Sequence, residues 1–183
     1  MNLLELMRNR RSVRHYTGEP VPEEKLQMIL QAGLLSASAK GARPWELIVV
    51  RQKETLAKLA LSRDNAANQR MTSEADAAIV VLCDSEKADT WVEDGSVVLA
   101  NMHLMADALG LGSCWLHGHL RTAANGQSAC EYVQDLLGIP AKYQLIGSLL
   151  VGVPAQHAAP YELDSLPMEK IHYEYLRVGF AMR

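Results

Sequence analysis

The chain has 183 residues, of which 49% are hydrophobic and 21% are charged, with a formal net charge of -3 and a pI near 6.1. This composition predicts a globular protein and excludes a disordered one, and the length predicts one domain over residues 1–183, with 154–183 as an extended arm. A slightly acidic chain lacks the broad basic face that nucleic acid requires, so we expect no nucleic-acid partner. No uninterrupted apolar run is long enough to span a membrane, so we expect no membrane partner.

The cysteines and histidines carry no metal or disulfide signature. Cys83, Cys114 and Cys130 are odd in number and show no CxxC spacing, which predicts neither a disulfide framework nor a zinc site. The six histidines show no metal-ligand spacing on a helix, so we predict no metal. The N-terminal segment lacks the long apolar stretch of a secretory signal, and with free cysteines we expect a cytoplasmic protein.

The first predicted element is a short helix with an apolar stripe at Leu3, Leu4 and Met7, followed by a basic cluster. Arg10, Arg11, Ser12 and Arg14 lie within five positions. Arginine donates two parallel hydrogen bonds to phosphate, and alternate residues of an extended stretch project to the same side.

The cluster has two interpretations. If it is extended, Arg10, Ser12 and Arg14 converge on one compact dianion, such as the phosphate of a nucleotide-like cofactor. If it is helical, Arg8, Arg10 and Arg11 complement the negative end of the first helix dipole. The cluster taken alone does not decide between them.

The next elements alternate between helix and strand. Pro22 with its following glutamates predicts a helix start, and Leu26, Ile29, Leu30 and Gly33 form one buried stripe, with the helix ending near Ser36. Four further elements follow: a strand at 46–50, helices at 53–61 and 65–71, and a strand at 77–83.

The helix predicted over 91–109 is apolar on nearly every face. Such a helix must be buried on all sides, so we expect it to pack partly against another subunit. After Gly110 come a strand at 113–117, a helix at 128–137 ended by Gly138 and Pro140, and a strand at 143–153. Residues 154–167 have no periodicity, which is typical of functional loops or arms.

A stretch of small side chains precedes the first strand. Ser36, Ala37, Ser38 and Ala39 let a flat ligand approach the backbone closely, and Arg43 adds a charge beside it. The alternative is an ordinary loop between a helix and a strand.

Several sequence blocks together resemble the nitroreductase family. They are RRSVRHY at 10–16, PVPEEKL at 20–26, AGL at 32–34 with Ser38, Ala39, Pro44 and Trp45, GLGSCW at 110–115, and LGIP at 137–140 through VGVP at 151–154. The blocks occur in the family's order and span most of residues 1–154.

The resemblance implies an FMN-dependent oxidoreductase that takes hydride from NADH or NADPH and passes it to a small-molecule acceptor such as a nitroaromatic or a quinone. It implies an α+β fold with a central, mostly antiparallel sheet surrounded by helices. It also implies an intimate homodimer with two flavins at the interface and the C-terminal arm on the partner.

The resemblance also assigns site residues. In chain order they are Arg10, Arg11, Ser12 and Arg14 at the phosphate and ribityl chain; Ser36, Ala37, Ser38, Ala39 and Arg43 in the loop laid against the partner's flavin ring; Asn68 and Gln69 at the ring edge; and Leu116, His117 and Gly118 beside the ring. Flavin N5 carries the chemistry, so no catalytic acid, base or nucleophile is required. Arg14 is the candidate for stabilising negative charge on the reduced ring.

Two departures from the family pattern affect the site. His117 and His119 occupy positions that are usually small, and Gln156-His157 stands where many relatives carry Lys or Arg. Lys170, His172 or Arg177 could replace that cation. A flavin-binding carrier or redox sensor without efficient turnover, and a branch that reductively removes halide, stay open as alternative functions.

Overall fold

A computed structural model describes residues 2–176 of the protein. Helices and strands alternate along these residues. The helices are Leu3–Asn9 (α1), Glu23–Leu34 (α2), Lys53–Ala60 (α3), Ala66–Glu74 (α4), Trp91–Ala108 (α5) and Ala129–Leu137 (α6). The strands are Trp45–Val50 (β1), Ala77–Asp84 (β2), Gly112–His117 (β3) and Tyr143–Gly152 (β4). Short 3₁₀ turns lie at Ala39–Gly41, Leu163–Ser165 and Met168–Lys170.

The four strands form one sheet in the order β1-β2-β4-β3. Every neighbouring pair is antiparallel, with Trp45 opposite Cys83 in β1 and β2, and Gly112 opposite Gly152 in β3 and β4. The central strands are buried on both faces, which is why β2 is a continuous apolar run. The predicted α+β fold with an antiparallel sheet is confirmed.

Helices cover both faces of the sheet. Because side chains alternate along a strand, Val80 and Leu82 of β2 face α3, α4 and α6, whereas Ile79 and Val81 face α2 and α5. The residues that α2 contributes are those of the predicted stripe, including Leu26, which is buried. The core therefore has two halves, one on each face of the sheet.

Local chemistry sets the ends of the amphipathic helix α6. The Ser128 side chain accepts a hydrogen bond from the backbone N–H of Glu131, and the Glu131 side chain accepts from the backbone of Ser128, which forms a capping box. Such a cap contributes about 1 kcal/mol to stability. At the other end Gly138 adopts φ 67°, a left-handed conformation that glycine allows at low cost.

Several apolar surfaces have no cover within residues 2–176. On α5, Val98, Leu99 and Met102 are buried, but Val97 on the opposite flank is 40% exposed. The prediction that this helix is buried on all sides is therefore not met by the single chain. The stripe of α1 and several apolar residues of the C-terminal stretch are likewise exposed: Leu3, Leu4, Met7, Leu163, Leu166, Met168, Ile171, Tyr173, Tyr175 and Leu176.

Among the helices of the described residues, none is both long and apolar enough to cross a membrane.

Candidate functional site

The basic cluster lies along the first half of the edge strand β3. After α1 ends at Asn9, Ser12 forms a parallel bridge with Ser113, and the Val13 N–H donates to the Ser113 carbonyl oxygen over 2.9 Å. The hydroxyl of the buried Tyr16 donates to the Val13 carbonyl oxygen over 3.0 Å. This segment therefore has a fixed, extended backbone, as the first interpretation of the cluster requires.

Residues 12–15 line one wall of a cavity of about 320 Å³, to which Ser12 and Arg14 contribute polar side chains, while the Val13 side chain is mostly buried in the core. The far wall of the cavity comes from the stretch after β4, through Gln156 and His157. Hydroxyl, guanidinium, amide and imidazole groups are all able to donate hydrogen bonds to an anion. The cavity thus has the donor set that a phosphate needs.

Arg10 departs from the predicted convergence with Ser12 and Arg14. It caps α1 and is followed by extended backbone, so its side chain points back toward α5. There its Nη1 lies 2.8 Å from Nε2 of His103, while Nδ1 of His103 lies 2.5 Å from Oγ of Ser113. Arg10 is therefore not among the residues that line the cavity at Ser12.

Arg11 turns to the C-terminal stretch instead of the cavity. Its guanidinium donates to the Ala159 carbonyl oxygen and stacks 4.4 Å from the centroid of the Tyr161 ring. Of the residues predicted to replace the family's C-terminal cation, Lys170 and His172 do not line the cavity. Arg177 lies outside the described residues.

The small-residue loop is anchored to α5. The buried Ser36 hydroxyl oxygen accepts from Nδ2 of Asn101 over 2.9 Å, and the Ala39 N–H donates to Oδ1 of Asp94 over 2.9 Å. The Arg43 N–H donates to the Ser38 hydroxyl oxygen over 2.9 Å.

The tip of this loop faces solvent. Ala37 and Arg43 are exposed, and neither they nor Ser38 line the cavity at Ser12. Arg43 also adopts φ 44°, a left-handed conformation that costs energy for a residue with a side chain. Within one chain, the loop is thus a fixed projection that covers none of its own proposed phosphate site.

The second half of β3 ends in a cluster of rings. Trp115 and His117 lie on the same face as Ser113, with ring centroids 6.4 Å apart. β3 ends before His119, because the backbone N–H groups of Gly118 and His119 both donate to the Ile146 carbonyl oxygen. The His119 ring still lies 6.4 Å from that of His117 and packs edge-on against Trp91 at 5.1 Å.

The contacts of Gln69 lead to this ring cluster. Its Nε2 donates to the Arg63 carbonyl oxygen over 3.0 Å, and the Arg63 guanidinium donates to the His117 carbonyl oxygen. The backbone N–H of Asn68 donates to the side-chain oxygen of Asn65, which caps the start of α4. Gln69 is therefore connected to the end of β3 through Arg63, whereas Asn68 belongs to the capped first turn of α4.

The end of β3 lies near two positively charged side chains, Arg63 and Arg121. Burial lowers the pKa of His117, and Arg121, His119 and Arg63 lower it further. Burial also lowers the pKa of Arg63, and Arg121 adds to the effect. Among the described residues, none of these four side chains forms an ion pair with a carboxylate.

Cys114 lies on the opposite face of β3, where it is 4% exposed within the core half that includes α3 and α6. Burial raises the pKa of its thiol. Its burial and its raised pKa are typical of a packing residue and not of a nucleophile.

The two groups of predicted site residues lie at opposite ends of one strand. Ser12 pairs with Ser113 at the start of β3, and His117 ends it four residues later. At about 3.3 Å per residue, the two ends are roughly 13 Å apart. An elongated cofactor with a phosphate at one end and a ring at the other fits this arrangement.

Sequence reasoning missed three residues that build the site: Asp94, His103 and Arg63. Asp94 and His103 are polar residues of α5, and both are buried. A polar group buried without a partner is costly, so each predicts a specific hydrogen bond. The two polar residues are visible in the sequence, but the sequence does not show which groups they form hydrogen bonds with.

The sequence profile of the nitroreductase family matches residues 7–63 and 61–153. A Methanothermobacter thermautotrophicus protein provisionally named NADH dehydrogenase/NAD(P)H nitroreductase is 35% identical over 95% of this chain and 87% of its own. The NADPH-flavin oxidoreductase of Vibrio harveyi is 26% identical over 94% of this chain and 73% of its own. The structure of an FMN-dependent nitroreductase from Clostridium difficile R20291 superposes with a TM-score of 0.90 and 35% identity, covering 95% of this chain and all of the other. With the family profile, the sequence identity and the superposed fold in agreement, the chain belongs to the nitroreductase family.

Proposed function

We propose that this protein is an FMN-dependent oxidoreductase that takes hydride from NADH or NADPH and passes it to a nitroaromatic, a quinone or a similar small acceptor. Hydride acceptance at N5 and delivery of two electrons to the acceptor is chemistry that FMN supplies when bound. The observation that carries the proposal is the arrangement along β3, with the phosphate cavity at one end and the ring cluster at the other.

The cavity residues hold the phosphate in this proposal. Ser12 and Arg14 donate from one wall and Gln156 from the other, whereas both ring nitrogens of His157 are engaged, by Asp107 and by the Ala158 carbonyl oxygen. Arg14 is largely exposed and forms only a weak, 3.4 Å hydrogen bond to the Ser12 carbonyl oxygen. Its guanidinium is therefore able to turn toward an anion with little loss of existing contacts, since charge-assisted bonds are about twice as strong as neutral ones.

The residues at the end of β3 surround the ring. The Leu116 side chain faces the core half that includes α3 and α6, so Leu116 borders the ring only through its backbone, and Gly118 sits so close to Leu145 that a side chain there would clash. Arg63, with Arg121 nearby, creates a positive potential in a partly buried place, where it stabilises negative charge that develops during reduction.

We further propose that one domain, residues 1–183, works as a homodimer. The uncovered apolar surfaces of α1, α5 and the C-terminal stretch support this, because a monomer rarely exposes so many large apolar side chains together. In the dimer, the loop 36–43 covers the partner's flavin ring. Of the arm predicted over 154–183, residues 154–162 bond to the basic cluster of their own chain, and the part that follows them lies on the partner.

The visible spectrum of the purified protein tests the cofactor directly. We expect a yellow protein whose released chromophore is FMN. Anaerobic mixing with NADH or NADPH should bleach it, and a nitroaromatic or quinone should restore the colour at a rate that supports turnover. Bleaching without reoxidation by any acceptor would favour a flavin-binding carrier, and a protein that binds no added FMN would refute the proposal.

Light scattering tests the assembly. At micromolar concentration we expect twice the mass of the 20.2 kDa chain. A monomer that still binds FMN and turns over would refute the shared site while leaving the oxidoreductase activity intact.

A further inference from the structure

His103 is a buried polar residue in the apolar helix α5. It is 6% exposed and is held by two hydrogen-bonding partners, Arg10 at 2.8 Å and Ser113 at 2.5 Å. Ser113 is itself buried and pairs through its backbone with Ser12. The imidazole therefore connects α5, the start of β3 and the basic cluster.

The partners fix the protonation state of His103. A guanidinium only donates hydrogen bonds, so Nε2 must accept from Arg10 and Nδ1 must carry the proton that is donated to the Ser113 hydroxyl oxygen. A charged imidazole has no acceptor left and would place a second cation against Arg10. In agreement with this, burial lowers the pKa of His103 to about 4, and the Arg10 charge contributes in the same direction.

The neighbouring charged groups are engaged elsewhere. Asp107, one turn further along α5, lies 3.1 Å from Nε2 of His157, and Arg8 of α1 bonds to the Tyr161 carbonyl oxygen and to Glu5. Arg10 itself has no carboxylate within ion-pair distance among the described residues. The Arg10 guanidinium is thus hydrogen-bonded to a neutral imidazole, and no carboxylate of the described residues neutralises its positive charge.

We propose that His103 is a positioning residue of the cofactor site. As a neutral imidazole it fixes the position of Arg10 without cancelling its charge, so that the guanidinium, which does not line the cavity, attracts the phosphate group of FMN by its full positive charge. A carboxylate in the same place would hold Arg10 equally well but would cancel the charge that attracts the phosphate. This inference rests on the proposed FMN site and adds a residue that does not itself touch the cofactor.

The experiment compares FMN with riboflavin, which lacks the phosphate. Dissociation constants for both are measured by flavin fluorescence with the full chain at pH 7. His103→Phe should weaken FMN binding about tenfold, the loss typical of a removed hydrogen bond to a charged group, and leave riboflavin binding unchanged. His103→Gln retains an acceptor oxygen on a side chain of similar reach and should restore most of the affinity.

A double-mutant cycle tests whether His103 acts through Arg10. Arg10→Ala should weaken FMN binding, and adding His103→Phe to it should weaken binding no further, since the group that is positioned has gone. Met102→Ala is the matched control: Met102 is equally buried on α5 and its truncation should lower the unfolding temperature without changing the ratio of FMN to riboflavin affinity.

Each outcome decides the inference. Unchanged FMN binding in His103→Phe, or an equal loss of FMN and riboflavin binding, would overturn it, as would additive losses in the cycle. If His103→Phe does not fold, Ser113→Ala takes its place: it removes the acceptor of the His103 Nδ1 proton and should weaken FMN binding about threefold with riboflavin unaffected. Wild-type protein that binds neither flavin would refute the FMN site itself, a result distinct from any of these.

Discussion

The two ends of β3 differ in how fully a single chain buries them and pairs the edge of the strand. At the start, Ser113 is 2% exposed, its edge is paired with Ser12, and its hydroxyl is bonded to His103. At the end, His117 and His119 are partly exposed, and the strand edge beyond Trp115 has no bridging strand among the described residues.

This difference follows from the backbone. The segment 12–13 satisfies the edge of β3 at its start, as an added strand would. Gly118 then bends the chain away at the other end. The structure thus pre-forms the proposed phosphate end, whereas the proposed ring end is left for the cofactor and the partner chain. Substitutions at the two ends should accordingly affect different measurements.

The largest expected effect is at the phosphate end. Arg14→Glu should weaken FMN binding about 100-fold, or about 3 kcal/mol, because it replaces a donor with a charge that repels the phosphate. The exposed position of Arg14 leaves the fold intact. Flavin fluorescence titration measures the affinity, with Lys58→Glu on α3 as a control of equal charge change. An effect no larger than that of the control would exclude Arg14 from the site.

Acid pH should destabilise the hydrogen-bonded group of Arg10, His103 and Ser113 at the start of β3. The pKa of His103 is lowered to about 4 in the folded protein, whereas it is near 6.5 in an unfolded chain. Stability from the neutral imidazole is therefore present above pH 6.5 and is lost as the pH falls toward 4, by about 3 kcal/mol in total. Urea unfolding of the apoprotein across this range measures it.

The comparison for this pH effect is His103→Gln, which does not titrate. The wild-type protein should lose more stability than the variant between pH 6.5 and 4. Parallel pH profiles for the two proteins would mean that His103 is not the group responsible.

Asp94→Ala should loosen the loop proposed to cover the partner's ring. The buried carboxylate accepts from the Ala39 N–H at one oxygen and from the Thr90 hydroxyl at the other. Leaving these donors without an acceptor costs about 2 kcal/mol of unfolding free energy. Asp94→Asn keeps one acceptor oxygen and should lose less. Equal stability of all three proteins in urea would show that Asp94 does not anchor the loop.

At the ring end, Arg63→Met should slow flavin reduction by NADH or NADPH about tenfold, or about 1.4 kcal/mol, while FMN affinity changes less than threefold. The positive charge near the end of β3 acts on the charge that develops during reduction, not on the phosphate. Stopped-flow absorbance measures the rate. A loss of FMN affinity as large as that of Arg14→Glu would remove the distinction between the two ends.

The sequence predicts the elements of this fold well because their signals are local. All four strands end within one residue of their predicted bounds, as short apolar or β-branched runs between turns. The contacts that complete the site are not local: Arg10 and His103 are 93 positions apart, and Ala39 and Asp94 are 55 apart. No periodicity encodes such pairs. The extended cluster was predicted to place Arg10 with Ser12 and Arg14, but Arg10 still belongs to the cap of α1.

The smallest expected effect is on the other face of β3. Cys114 alternates with Ser113 and Trp115, so its side chain packs in the core half that includes α3 and α6, and it meets the proposed site through a hydrogen bond with the Ser12 side chain. Cys114→Ala should therefore leave FMN affinity and turnover within twofold of wild type and cost only about 1 kcal/mol of stability for the lost volume. Fluorescence titration, steady-state assays and urea unfolding check the three quantities. Because burial raises the pKa of the thiol, the thiolate needed for redox chemistry is scarce at neutral pH. A large loss of turnover with stability preserved would mean that the chemistry reaches both faces of the strand, and the division of β3 into two ends on one face would no longer describe the site.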